Sequence, residues 1–420
     1  MMRCVTVTIK PMADFFQTGA ITTLHRLGPD QTARLEERLR AFSRERPIAL
    51  VLPCHSSEIG TPALQKILGV LEDTDYLAQV VVGLDGATRA GWRRARDFFA
   101  GSRHRPAVLW NDGPRMRRLL RKLAEAGFDP DGGGKGRNLW LCSGYVLATQ
   151  KAQAIAAHDC DILTYDRELL ARLCYPVAEG SLGFDFSKGY TARFTDRLNG
   201  RVMRLMFTPL VRALESILGP HPFLRFMNTF RYPLSGEICI DVDLLRRIAM
   251  PSDWGVEVGM LAEVYRVASP RAVCQVELAE SFDHKHRELS PDDAGKGLHK
   301  MSIDIARCIF RNVAAEGLRL DHGLFDTLVS AYGREAGETI RHYHADAEIN
   351  ALRYDRHEEE LAVATFLRSI RSAAREYTED PLGKPLIPNW NRVESALPEF
   401  LDELRVAVEE DNAVPLGRPT

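Results

Sequence analysis

Short apolar runs without polar alternation recur through the N-terminal half of the chain, separated by stretches of helical period. Ile48-Ala-Leu-Val-Leu52 is the clearest of them, and Val80-Val-Val82, Ala107-Val-Leu109 and Asp161-Ile-Leu-Thr-Tyr165 follow. A strand with one wet face alternates; one covered on both faces does not, which is the habit of parallel sheets. The intervening helices have their own signals. Asp30 caps a first helix with Leu35, Leu39 and Phe42 on one face, closed by Pro47. Thr61-Pro62 reads as N-cap and first turn of a second, striped by Leu64, Ile67, Leu68 and Leu71. Further helices are expected at Trp92 to Phe99, about Pro114 to Ala126, and roughly Leu139 to Ala157. The alternation predicts an α/β fold with a parallel, helix-covered sheet. Ligands of such sheets bind outside the carboxyl ends of the strands, here Pro53 to Glu58, Asp85, and Asp166 to Glu168.

The rest of the chain reads differently. Short strands are expected at Ser235 to Ile240 and Val273 to Leu278, and beyond residue 296 the pattern is almost wholly helical. The expected organisation is an N-terminal helical extension over 1–46, a catalytic α/β domain over 47–295 and a helical region over 296–420. The stripe Val363, Phe366, Leu367 and Ile370 suits packing or self-association, so a homodimer is expected. With 420 residues, 45% of them hydrophobic, the chain can bury a substantial core. Its 55 basic and 57 acidic residues leave a net charge of −2, which offers no single-sign field for nucleic acid or a membrane surface. No run approaches the roughly 20 apolar residues of a membrane span. Lys10, Pro11 and Asp14 stand where a signal peptide would continue its apolar stretch, so a cytoplasmic protein is expected. Eight cysteines without a Cys-x-x-Cys pair predict buried free thiols rather than a zinc site.

Four segments carry candidate chemistry. Asp166 and Glu168, two apart at the expected strand end, can converge on a hard cation such as Mg²⁺ or Mn²⁺, which also takes phosphate oxygens. An acidic pair beside a strand is otherwise a solvated turn. Gly132-Gly-Gly-Lys135-Gly136 allows close backbone approach to phosphate, with Lys135 offering charge. It is not a Walker loop, because Asp129 holds the first glycine position and Gly136 follows the lysine. In Ser252-Asp-Trp-Gly-Val-Glu257-Val-Gly259, Glu257 sits where it can face a sugar, or where an early-turn acid simply favours a helix capped by Asp253. Asp283-His284-Lys285-His286-Arg287 holds potential imidazole ligands in a charged loop, while His342, His344 and Asp346 read as surface.

Taken in order, these segments resemble the retaining glycosyltransferases of the glucosyl-3-phosphoglycerate synthase family and their mannosylglycerate synthase relatives. The resemblance covers roughly residues 48 to 295. It rests on Leu52-Pro53 with Glu58, Asp85-Gly86, Gly134-Lys135-Gly136, Asp166-Arg-Glu168, Gly200-Arg201-Val202, Tyr232-Pro-Leu-Ser-Gly236-Glu237, Trp254-Gly-Val-Glu257 and His284. It implies a GT-A fold and a hexose, glucose foremost, moved from a nucleoside-diphosphate sugar to 3-phosphoglycerate or a related small acid such as glycerate. By position it implies that Pro53, Glu58 and Asp85 hold the nucleoside and that Lys135 lies near the donor phosphates or sugar. Asp166, Glu168 and His284 would bind Mg²⁺ or Mn²⁺, and Glu257 with Gly236 and Glu237 would line the hexose pocket. Glu257, Lys135 and Asp166 would carry catalysis. Arg201 would take the acceptor's carboxylate or phosphate through its forked guanidinium.

The chain departs from that pattern in places. The acidic pair is Asp-x-Glu rather than Asp-x-Asp, Met203 stands where the phosphoglycerate enzymes commonly have Thr, and His286 stands where they carry Asn. Met203 and His286 both fall at the expected acceptor site. Two other classes compete with the transferase. A nucleotidyltransferase making sugar nucleotides would need a glycine-rich entry loop, and Cys54-His-Ser-Ser-Glu58 is not one. A non-catalytic nucleotide-sugar-binding scaffold would not need the acidic pair.

Overall fold

The structure, a computed structural model, describes residues 17, 19–28, 30–128, 130, 133–284 and 288–415. Eight strands form one sheet: β1 (Thr22–Leu24), β2 (Ile48–His55), β3 (Leu77–Asp85), β4 (Ala107–Trp110), β5 (Ala154–Ala157), β6 (Phe186–Tyr190), β7 (Ile238–Asp241) and β8 (Val273–Glu277). Their spatial order is β1-β8-β6-β7-β5-β2-β3-β4. Neighbours run parallel except at β7, which is antiparallel to both β5 and β6. β2 shows why the apolar run lacks alternation. Ala49 and Val51 enter one core with Trp140 and Val146, while Ile48, Leu50 and Leu52 enter the other with Leu64, Ile67 and Leu169.

From β2 the chain steps outward to β3 and β4. It then returns through the helix Lys135–Thr149 and lays β5 on the opposite side of β2. The direction of strand addition therefore reverses between β2 and β5, and a crevice opens there at the carboxyl ends.

Two sequence expectations are corrected here. The helix expected to reach Ala157 stops at Thr149, where Gln150 turns left-handed at φ 53°. The segment Ala154-Ile-Ala-Ala157 that follows is strand β5, hydrogen-bonded to β2, although its alanines favour a helix. Asp161 to Tyr165, expected as a strand, is a turn whose one bridge joins Ile162 to His284. Strands β1 and β6 were not anticipated; β6 carries the polar residues Ser187 and Lys188, both buried.

The helices Gly297–Ala315, His322–Ile349, Arg356–Glu379, Trp390–Ala396 and Phe400–Ala413 make up the helical region. Packing crosses both expected boundaries. β1 extends the sheet, Glu36 pairs with Arg167, and one apolar core runs from Ile21 to Val408. Within it Trp140 and Trp390 stack at 3.9 Å. His342, His344 and Asp346 are exposed. The seven cysteines among the described residues are buried and free. Among those residues no helix is long and apolar enough to cross a membrane.

The last helix also closes the sheet. The Asn412 side chain accepts from the Val108 amide at 3.1 Å and donates to the Val108 carbonyl at 2.9 Å. One side-chain amide thus stands in for a neighbouring strand at the β4 edge. Asn412→Ala leaves both groups without that partner and is expected to cost about 1–3 kcal/mol. The check is the urea unfolding midpoint, with the slope of the transition unchanged.

Candidate active site

A cavity of about 760 Å³ fills the crevice between β2 and β5. Pro53 and Glu58 line it from the end of β2, Asp85 from the end of β3, and Asp159 and Asp161 from just beyond β5. Lys135, Glu257, Arg193, Arg201 and Met203 line it as well. His55, Asn138, Trp254 and His284 are among the other residues of its wall.

Lys135 opens the helix Lys135–Thr149, next to a glycine at φ 127°. A side chain at Gly134 would stand 2.6 Å from the Ser252 carbonyl, and one at Gly136 would stand 1.8 Å from the Pro251 carbonyl. The glycine cluster therefore serves approach to the protein's own backbone: it seats this helix start against the loop leading to Glu257. Lys135 Nζ then reaches Glu257 at 2.8 Å and Asp159 at 2.6 Å. Burial opposes the ammonium charge, yet Asp159 and Glu257 hold its pKa above the usual lysine range. It is charged at every physiological pH.

The expected metal trio is corrected by the structure. Asp166 is the N-cap of the helix Arg167–Ala178 and accepts from the Leu169 amide at 2.8 Å. Glu168, buried, accepts from Arg26 at 3.0 Å and stands 3.5 Å from Arg172. Neither lines the cavity. Both carboxylates serve the attachment of that helix, as a cap and as the buried partner of two arginines. His284 instead lies on the other acidic pair, since its backbone bridges Ile162, next to Asp161, and its ring draws down the pKa of Asp159.

Asp159 and Asp161 were missed because β5 was hidden inside an expected helix. They follow that strand directly, in Ala157-His-Asp159-Cys-Asp161. Burial, then the charge of Asp159, pushes the Asp161 carboxyl up to about 7. Burial opposes the charge on Asp159, but Lys135 outweighs it and holds that carboxyl below its usual range. Crowded carboxylates with a nearby imidazole are the donor set of a hard divalent cation. Among the described residues no three His, Cys, Asp or Glu side chains stand ready as a closed cage. Mg²⁺ does not require one, because it keeps waters and takes substrate phosphates beside one or two carboxylates. The residues present fit such an ion.

Gly236 and Glu237 lie behind the pair. A side chain at Gly236 would press on the Asp159 carboxylate at 2.7 Å. Glu237 is buried, with Oε2 3.4 Å from Arg193 and Oε1 lacking a hydrogen-bond partner. Burial, opposed by Arg193, raises its pKa. Two further cations were not singled out from sequence. Arg193 lies between the rings of Tyr232 and Phe282, at 4.0 and 4.3 Å. Lys188, buried on β6, donates to the Ser235 carbonyl at 2.6 Å and so fixes the turn before Gly236. Burial pushes its ammonium down to about 8, against the pull of Glu257 and Glu237.

Arg201 pairs with Glu358 and Glu359, and Met203 sits in a π-helical stretch, Val202–Phe207. His286 lies outside the described residues.

A nucleotide-type sheet with a paired-acid crevice that opens onto an arginine-lined end defines a GT-A glycosyltransferase. Known structures agree on the fold. Glucosyl-3-phosphoglycerate synthase from Mycobacterium tuberculosis superposes with a TM-score of 0.51 at 23% identity, over 72% of this chain and 89% of that one. Mannosyl-3-phosphoglycerate synthase from Rubrobacter xylanophilus gives 0.51 at 20% identity, over 72% and 85%. No protein-family model matches the sequence. The glucosyl-3-phosphoglycerate synthase of Persephonella marina is 46% identical over 362 residues, which are 86% of this chain and 90% of the relative. That of Methanococcoides burtonii is 39% identical over 365 residues, 86% and 89% of the two. This chain belongs to the glucosyl-3-phosphoglycerate synthase family.

The two acidic pairs separate by mutation. Asp166→Ala removes a helix cap and is expected to cost about 1 kcal/mol of stability while metal affinity stays. Asp161→Asn is expected to weaken Mn²⁺ binding by on the order of a hundredfold without that loss. Calorimetric titration of Mn²⁺ with UDP, beside thermal unfolding of each variant, checks both.

Proposed function

We propose that this chain is a retaining glucosyltransferase that moves glucose from UDP-glucose to 3-phosphoglycerate with Mg²⁺ or Mn²⁺. The observation that carries the reading is the continuity of the cavity. Pro53, Glu58 and Asp85, Lys135 and Glu257, and Arg201 all line one cavity, which lets donor and acceptor meet in one chamber. The names of the curated relatives support the same activity. The Mycobacterium tuberculosis enzyme was captured with Mn²⁺, UDP-glucose and phosphoglyceric acid, and with Mn²⁺, UDP and glucosyl-3-phosphoglycerate.

In this reading Pro53, Glu58 and Asp85 hold the nucleoside, and Asp159, Asp161 and His284 hold the cation. When bound, the cation neutralises diphosphate charge and eases its departure. Lys135, half-buried and charged, adds a second positive centre on the same side. Glu257 orients the glucose hydroxyls, with Gly236 and Glu237 shaping the pocket behind. Arg201 orients the acceptor through its anionic group, with Met203 beside it. The acceptor hydroxyl attacks the anomeric carbon from the face the diphosphate leaves. The bond to the diphosphate oxygen breaks, and the hydroxyl proton passes to the departing diphosphate. The anomeric configuration is thereby retained. The reading includes a homodimer in contact through the helical region, and a cytoplasmic site of action.

The test offers UDP-, GDP- and ADP-glucose with 3-phosphoglycerate or glycerate, and reads the linkage by NMR. An α-linked product from UDP-glucose and 3-phosphoglycerate is expected; silence with every pair overturns the proposal. A pH dependence follows from Asp161. Its folded pKa is raised to about 7, so below that pH the cation must displace a proton. The apparent Mg²⁺ requirement is expected to rise about tenfold per pH unit below about 7 and to level off above it. Activity against Mg²⁺ concentration at several pH values checks it.

A further inference from the structure

The acceptor end of the cavity is fastened from outside the α/β half. The turn between the helices His322–Ile349 and Arg356–Glu379 grips it, with the Arg353 amide donating to the Asp196 carbonyl at 2.8 Å and its guanidinium pairing with the Asp196 carboxylate at 3.0 Å. One residue group further on, Glu359 is buried and bridges two arginines. Its Oε1 accepts from Arg201 Nε at 2.9 Å and its Oε2 from Arg204 Nη1 at 2.7 Å. Arg204 in turn closes the loop by donating to the Asn199 carbonyl at 2.8 Å. Glu358, with 48% of its side chain exposed, accepts from Arg201 Nη2. Acids in the first turn of a helix are favoured by its dipole, which accounts for two carboxylates there. It does not account for both of them meeting the same cavity-lining arginine.

The fork of Arg201, Nε and Nη2, is the edge that takes a carboxylate or phosphate bidentately. In this structure two carboxylates of the chain itself hold it. We propose that Glu358 and Glu359 are built-in counter-anions of the acceptor site, with distinct effects. Glu359 is a positioning residue: locked between Arg201 and Arg204, it aims the Arg201 guanidinium into the cavity. Glu358 is a competitor, holding the Nη2 side that an anionic acceptor must win, and so it sets acceptor affinity. The inference rests on the reading of Arg201 as the acceptor's arginine.

Opposite signs follow. Glu358→Gln removes a half-exposed competing charge and is expected to lower the KM for 3-phosphoglycerate about two- to fivefold, with kcat and the UDP-glucose KM unchanged. Glu359→Gln lets Arg201 swing and is expected to raise the same KM about tenfold, with Glu359→Asp recovering part of the loss. A merely structural role moves donor and acceptor KM together, and that result overturns the proposal, as does an unchanged acceptor KM in Glu358→Gln. If Glu359→Gln fails to fold, Glu358→Gln decides alone. Calorimetric titration of 3-phosphoglycerate separates this inference from the activity it rests on. Tighter binding to Glu358→Gln than to wild type upholds it even where no transfer occurs; equal binding, or none to either protein, overturns it.

Discussion

The half-buried ammonium of Lys135 between Asp159 and Glu257 joins three parts of the fold: the start of a helix, the residues just past β5 and the first turn of the helix Val256–Val267. A charge drawn this far out of water is tolerated only when its partners are close and well placed. The three elements therefore have little freedom to move apart. The glycines at 134 and 136 exist for the same contact, since a methyl group at either would push the helix start off the Pro251–Ser252 backbone. The centre of the cleft is thus set by packing of main chain on main chain. The ion pairs then fix the side chains within it.

Much of the fold was legible from the sequence. β2, β3 and β4 declared themselves because parallel strands covered on both faces cannot alternate, and Thr61-Pro62 declared a helix start that the structure realises with a Thr61 hydroxyl cap. β5 did not, for a physical reason. Ala154-Ile-Ala-Ala157 has a helix-favouring composition, and only its pairing with β2 and β7, tertiary information, makes it a strand. That one displacement also put the expected acidic pair at Asp166 and Glu168, whereas the closely spaced carboxylates that line the cavity just beyond β5 are Asp159 and Asp161. Asp166 and Glu168 carry the same charges at the same spacing, but beside a helix start rather than a strand end.

Pro53, Glu58 and Asp85 were accessible to sequence reasoning because they sit at or just past strand ends, where topology places ligands, and Lys135 because it opens a helix after a glycine cluster. Pro53, Glu58, Asp85 and Lys135 all line the cavity. Arg193 and Lys188 gave no such signal. A basic residue before an irregular segment reads as surface, and nothing local in Lys188-Gly-Tyr-Thr-Ala-Arg193 says that two aromatic rings from elsewhere will enclose the guanidinium. The partners of Arg201 come from still further along the chain, in the helix Arg356–Glu379, whose pattern spoke only of packing.

A common rule underlies the halves that sequence separated. Among the described residues, the Lys and Arg side chains lining the cleft each have a carboxylate of the chain beside them: Lys135 has Asp159 and Glu257, Arg193 has Glu237, Arg197 has Asp196, and Arg201 has Glu358 and Glu359. An array of bare cations in a cavity of this size would be costly to desolvate, and their mutual repulsion would open it. Internal counter-ions remove that cost, and they change what binding means. An anionic ligand entering such a site exchanges partners rather than filling a void, so the net gain is the difference between two ion pairs. Modest affinity is the consequence for any single anion. Discrimination is sharpened, because a ligand that satisfies one cation but leaves the displaced carboxylate buried and unpaired is rejected by several kcal/mol (about 3–5 for a deeply buried pair). A donor and an acceptor that are both anionic need a site of this kind, in which neutrality is kept at each step.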